Sequence, residues 1–192
     1  MSVSVLGVIL AGGQASRMNY VAKGLTRYKD RVLIEYALKS FETLAEYTLI
    51  NANKDTKAYQ NLGVKVFADE ADCLERGPLS GVYAALLQAQ KLGVSHLLLS
   101  PCDTPLVTQA VFERLKSEAE KEPDCAFYIE SDSGIQPLHA ILPVAGMAAR
   151  LKRYLENEAR VMLFYRQLGA KAVFWQEEQV FLNINYLEQL EG

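Results

Sequence analysis

The apolar run Val5–Leu10 (VLGVIL) passes without a break into a glycine-rich, basic loop, AGGQASRMNYVAK, that ends at Lys23. A strand that is apolar throughout has to be covered on both faces, so it belongs inside a mostly parallel sheet enclosed by helices. A second such run, His96–Ser100 (HLLLS), makes the same demand. Gly12 and Gly13 carry no Cβ, so the chain leaving the first strand can turn at positive φ and bring its N–H groups close to anionic oxygens. Arg17 and Lys23 add positive charge to that loop. Neither G-x-x-x-x-G-K-[ST] nor G-x-G-x-x-G can be placed on it, so it is neither a P-loop nor a dinucleotide-binding turn.

Strand and helix patterns alternate along the remaining chain. Strands are predicted at Val5–Leu10, Tyr47–Asn51, Val64–Phe67, His96–Ser100, Ala126–Ile129, Ala140–Leu142, Ala172–Trp175 and Phe181–Ile184. Helices are predicted at Leu33–Leu44, Thr56–Leu62, Leu79–Leu92, Gln109–Lys121, Val144–Asn157 and Val161–Leu168. The alternation defines a Rossmann-like α/β fold: doubly wound, a mostly parallel sheet with helices on both faces. With 192 residues, half of them apolar, the chain suits one domain with a full core, read as residues 1–192. A net charge of −3 gives no broad basic footprint for a nucleic acid, so any polyanion site is local. Three cysteines without a C-x-x-C spacing fit reduced thiols. No apolar run reaches the roughly 18 residues of a membrane span, and Met1–Ser4 lacks a basic leader, so a soluble cytoplasmic protein is expected.

In an open parallel sheet, ligands gather at the carboxyl ends of the strands. Polar residues follow the predicted strands at Asn51, Asp69 and Asp103, and Asn183 with Asn185 stand near the last one. Each alone is explained equally well as a turn or helix cap. Asp103 is the most constrained, because Pro101 and Pro105 hold it just past an apolar strand and stop a helix from continuing. A carboxylate so placed suits Mg²⁺, which takes one or two carboxylates and fills its shell with water and substrate phosphate. Gly77-Pro78-Leu79-Ser80-Gly81 opens a helix, and its glycines leave room for the edge of a base or a phosphate. Cys102, His96 and His139 are read as structural.

These motifs together resemble the molybdenum cofactor guanylyltransferase (MobA) family, a branch of the nucleotide-diphospho-sugar transferase fold. The resemblance spans nearly the whole chain: ILAGG-x-x-x-R-M, Lys23-Gly24-Leu25, Ile50–Asn53 (INAN), GPLSG, PCDTP, Arg160–Phe164 (RVM-x-F) and Phe181–Asn185 (FLNIN). It implies transfer of GMP from GTP to molybdenum-bound molybdopterin with release of pyrophosphate. Leu10, Ala11, Gly12, Gly13, Lys23, Asn51, Asp69 and Asp103 fall on GTP-contacting positions, with Gly77 and Gly81 beside them. Arg17, Lys23 and Asp103 would be catalytic, with Asp103 the Mg²⁺ ligand. Asn183 and Asn185 would face the reacting phosphates or the pterin, and Gln136, Pro137 and Arg160 are pterin candidates. Transient contacts with a molybdenum-insertion protein and molybdoenzyme chaperones follow from a reactive product, with no nucleic acid and no membrane involved.

One loop departs from the family pattern, which usually carries Gly-Gly-x-Asp between Met18 and Lys23. Here the segment is Asn19-Tyr20-Val21-Ala22. Two readings stand: Tyr20 stacks over the nucleotide, or the loop has lost catalytic strength. Three function classes therefore remain at this point. They are the guanylyltransferase, a related nucleotidyltransferase using CTP or a sugar phosphate, and a homologue that binds nucleotide or pterin without turnover. In the family pattern an LAGG opening, as against LAAG, points to a purine.

Overall fold

The computed structural model describes residues 2–12 and 22–184. Its main sheet has seven strands in the order β5-β4-β1-β6-β8-β7-β9, where β1 is Val5–Leu10, β4 Tyr47–Asn51, β5 Lys65–Phe67, β6 His96–Pro101, β7 Phe127–Ser131, β8 Gly134–Pro143 and β9 Lys171–Trp175. All pairs are parallel except those of β8, which runs antiparallel to both β6 and β7. A two-stranded ribbon, β2 (Arg27–Tyr28) and β3 (Arg31–Val32), lies apart from the sheet.

The two apolar runs take the centre. β1 pairs with β4 on one side and β6 on the other, and Val5, Leu6, Val8, Ile9, Leu97, Leu98 and Leu99 are fully buried. Alternate residues feed two cores. Leu6, Val8, Leu97 and Leu99 pack with α3 (Pro78–Leu92), α5 (Met147–Leu155) and α6 (Val161–Leu168). Val5, Ile9 and Leu98 pack with α1 (Leu33–Lys39), α2 (Thr56–Gln60) and α4 (Gln109–Lys121). Helices thus cover both faces, as the apolar strands require.

Several boundaries differ from the sequence pattern for identifiable reasons. α1 stops at Lys39 because the Ser40 hydroxyl donates to the Ala37 carbonyl at 2.6 Å and competes with the helix ladder. β8 is far longer than Ala140–Leu142 and forms a hairpin with β7 through Asp132-Ser133. Its register jumps between Tyr128↔Ala140 and Ile129↔Gln136, so Pro137, Leu138 and His139 stand out of the β7 ladder, where a proline needs no N–H. The predicted strand Phe181–Ile184 is replaced by a 3-10 turn, Glu178–Phe181, and an extended tail whose Ile184 N–H donates to the Asp103 carbonyl at 2.9 Å. An F-x-N-I alternation fits either outcome; Phe181 packs edge-on against His139, 5.2 Å between ring centres, and not in a sheet.

The bulge buries His139 between Phe112 and Phe181, with its Nε2 3.0 Å from the Thr104 hydroxyl. Burial holds the imidazole neutral and pushes its pKa down from 6.5 to about 3. Between those values the unfolded chain binds a proton that the folded chain refuses, so stability rises with pH across this window and is lost as pH falls. His96 is shifted in the same direction by burial. Unfolding free energy is therefore expected to drop by up to about 1.4 kcal/mol per pH unit per histidine below pH 6.5. Urea titrations at stepped pH check this, and His139→Gln should flatten the slope; an unchanged slope would contradict it.

Candidate active site

Strand register places the site residues on one rim. Leu10 of β1 pairs with Asn51 of β4 and Pro101 of β6, and Asn51 pairs with Phe67 of β5. The residues that follow these positions, Ala11 and Gly12, Ala52 and Asn53, Asp69, and Asp103, therefore leave the sheet at one level. The Ala11 N–H donates to the Asn51 carbonyl at 2.9 Å and the Cys102 N–H to the Leu10 carbonyl at 3.2 Å, which fixes the three exits to each other.

One group gathers around Asp69. The Asn51 amide donates to Asp69 Oδ1 at 2.9 Å and the Asn53 amide to Oδ2 at 2.9 Å. The Asp69 N–H donates back to Asn53 Oδ1 at 2.8 Å. Asn51 is buried, and the space for its side chain comes from α3: a Cβ on Gly81 would lie 2.4 Å from Asn51 Oδ1. A Cβ on Gly12 would lie 3.4 Å from the same oxygen. Gly77, at the head of α3, has φ 63° and ψ −153°, a region open almost only to glycine, with free space where a Cβ would stand.

A second group forms at Asp103. Lys23 Nζ, leading into a 3-10 turn at Lys23–Leu25, pairs with Asp103 Oδ2 and donates to Asn183 Oδ1 at 3.3 Å. Asp103 is only 9% exposed, and its Oδ1 is buried with no hydrogen-bond partner among the described residues. Residues separated by 80 and 160 positions meet here on one ammonium. Cys102 is buried beside them with its thiol pushed up to about 12 by desolvation, so it is an inert packing group.

The pterin candidates fall on the other half of the sheet. Gln136 and Pro137 lie in β8, and the Pro137 carbonyl accepts the Tyr165 hydroxyl of α6 at 2.9 Å. Arg160, at the head of α6, turns its guanidinium to Glu158 and thereby holds that carboxyl down at about 2. Gly13, Arg17, Asn19, Tyr20, Val21 and Asn185 lie outside the described residues. Asn53 was not among the residues singled out by sequence. Its signal was present in INAN, since residues two apart in extended chain share a side.

An amide-held carboxylate and a lysine-paired carboxylate thus stand on the rim where open α/β sheets take their ligands. Comparison with known proteins specifies the class. The model of the MobA-like NTP transferase domain matches residues 7–172. Molybdenum cofactor guanylyltransferase of Mannheimia succiniciproducens is 35% identical over 194 residues, covering 100% of both chains. The protein of that name from Histophilus somni strain 2336 is 34% identical over 100% of this chain and 96% of its own. The crystal structure of molybdopterin-guanine dinucleotide biosynthesis protein A from Archaeoglobus fulgidus superposes with TM-score 0.74 at 22% identity, covering 97% of this chain and 95% of that one. 2-C-methyl-D-erythritol 4-phosphate cytidylyltransferase from Thermus thermophilus shares the fold at TM-score 0.69 and 15% identity, covering 100% and 96%. The chain belongs to the MobA-like NTP transferase family and is a nucleotidyltransferase.

Proposed function

We propose that the protein transfers GMP from GTP to the terminal phosphate of molybdenum-bound molybdopterin, acting as a single domain over residues 1–192. The phosphate oxygen forms a bond to the α-phosphorus of GTP, the bond from the α-phosphorus to the bridging β-oxygen breaks, and pyrophosphate leaves with that electron pair. The observation that carries the reading is the meeting of Lys23, Asp103 and Asn183 beside the amide-held Asp69 on one rim. The full-length likeness to guanylyltransferases at 35% and 34% identity supports the choice of substrates.

Asp103 fits Mg²⁺. Among the described residues one carboxylate oxygen is buried without a hydrogen-bond partner, and no cluster of three or more His, Cys, Asp or Glu forms a closed cage. A lone carboxylate that leaves the remaining positions to water and phosphate matches that ion's preference. Bound there, the ion supplies neutralisation of triphosphate charge. Lys23 then holds a phosphate oxygen with the ammonium that otherwise pairs with Asp103, and Asn183 keeps that ammonium aimed. The family resemblance adds Arg17 as a second cation. The attacking phosphate is already an anion, so no general base is required, which agrees with a His139 held neutral in the core. Catalysis is alignment and charge stabilisation. Leu10, Ala11 and Gly12 line the nucleotide with backbone, Gly77 and Gly81 give it room, and the family resemblance adds Gly13 to them.

Among the described residues no helix is long and apolar enough to cross a membrane. A cytoplasmic setting, and transient exchange with an insertion protein and molybdoenzyme chaperones, follow from this reading. Pyrophosphate release in the presence of molybdenum-molybdopterin tests it: release with GTP and none with CTP is expected. Release with CTP in place of GTP would assign the chain to a cytidylyl-transferring enzyme, and nucleotide binding without release would leave a binding module.

A further inference from the structure

We propose that Asn53 sets base selectivity at this site by locking the plane of the Asp69 carboxylate; the inference rests on the nucleotide reading above. Asn53 is exposed, so the core does not require its hydrogen bonds. It nevertheless commits both halves of its amide to one residue, donating to Asp69 Oδ2 and accepting from the Asp69 N–H at 2.9 and 2.8 Å. Asn51 holds the other oxygen at 2.9 Å. With one amide on each oxygen, the carboxylate cannot turn about its terminal bond.

A fixed carboxylate has one obvious use on a nucleotide rim. A carboxylate offers about four lone-pair sites. The two amides take one on each oxygen and leave a second on each. That pair of acceptors matches the parallel donors of guanine, N1–H and the 2-amino group, and two parallel bonds form only when base and carboxylate are coplanar. Adenine turns a ring nitrogen lone pair toward the same place and is repelled. Hypoxanthine offers N1–H alone. A single bond tolerates rotation of the carboxylate and a double one does not, so the lock made by Asn53 should favour GTP over ITP specifically. Asn53 is thus a positioning residue that acts through Asp69.

The test measures dissociation constants of GTP, ITP and ATP with Mg²⁺ by calorimetry on the full chain and on Asn53→Ala and Asn53→Leu. The second variant keeps the branched shape of the side chain and removes the donor without placing a new charge beside Asp69 Oδ2. The wild type should prefer GTP to ITP by about tenfold. Both variants should lose about tenfold in GTP affinity and less than about threefold in ITP affinity, with melting temperature unchanged in the absence of nucleotide. Equal losses for GTP and ITP, or no loss, would overturn the role of Asn53. A wild type that binds GTP and ITP equally would overturn it too, while leaving the nucleotide site standing. A wild type that binds no nucleotide would overturn the underlying reading itself.

Discussion

Replacing Asp103 by alanine is expected to lower kcat by about a hundred- to a thousandfold, the range seen when one preorganised group that stabilises transition-state charge is removed. The carboxylate serves two partners. Its Oδ2 pairs with Lys23, and its Oδ1 is buried without a hydrogen bond from any described residue. A buried polar atom left without a partner lowers stability, and such departures collect where a ligand supplies the missing contact. The same substitution should therefore leave folding largely intact. It removes an ion pair whose lysine side chain is 23% exposed, and it also removes the orphaned oxygen. Because the remaining ammonium keeps partial exposure and its contact with Asn183, the net change should stay at about 1–2 kcal/mol, below the loss seen when a fully buried pair is broken. Steady-state kinetics together with urea unfolding separate the two effects. A variant that keeps activity, or one that unfolds several kcal/mol more easily, would show that Asp103 is a structural capping residue.

Gly81→Ala makes the tightest contact of any alanine substitution at the described glycines and should be strongly damaging. The new Cβ would fall 2.4 Å from Asn51 Oδ1, 3.1 Å from its Cγ and 3.2 Å from Leu10 Cδ2. Asn51 cannot retreat easily, because it is 2% exposed, sits at the end of a strand paired on both sides and donates to Asp69. Overpacking of this kind typically lowers stability by about 1–3 kcal/mol. The larger effect should be on GTP: displacing Asn51 releases Asp69 Oδ1 and moves the α3 head relative to β4, so KM for GTP should rise about tenfold or more. Gly63→Ala, at a glycine with φ 76° and nothing within 4 Å of the added methyl, is destabilising through left-handed backbone strain away from the site, so it is the control for lost stability as such and should leave KM for GTP unchanged. Normal GTP affinity in Gly81→Ala would mean that the Asn51 and Asp69 pair does not serve the nucleotide.

The parts of this molecule that were legible in sequence are those fixed by local chemistry. VLGVIL and HLLLS could only be central strands, and both are. Pro101 and Pro105 announce Asp103 as a held carboxylate. What escaped was decided by tertiary context. The β7 and β8 hairpin was hidden because Pro137 breaks the strand pattern, and a register jump is needed to accommodate it. Phe181–Ile184 looked like a strand because an alternating tetrapeptide carries too little information to separate a strand from a turn packed on His139. Asn53 was overlooked because its partner, Asp69, is 16 residues away and reached only through the pairing of β4 with β5. Lys23 and Asn183 each carried a local signal, but their meeting on one point had none, since nothing local joins positions 160 apart.

A guanine nucleotide site built on Asp103 and a divalent cation is tested most directly by nucleotide-dependent melting. GTP, CTP, ATP and UTP are compared with and without Mg²⁺ on the wild type and Asp103→Ala. At a GTP concentration a hundred times Kd, binding adds about 2.7 kcal/mol. For a chain of this length that raises Tm by about 5–10 °C. Such a rise is expected with GTP and Mg²⁺ alone, and it should be lost in Asp103→Ala. A rise of equal size with all four nucleotides, or a GTP response that neither Mg²⁺ nor Asp103→Ala alters, would refute the site.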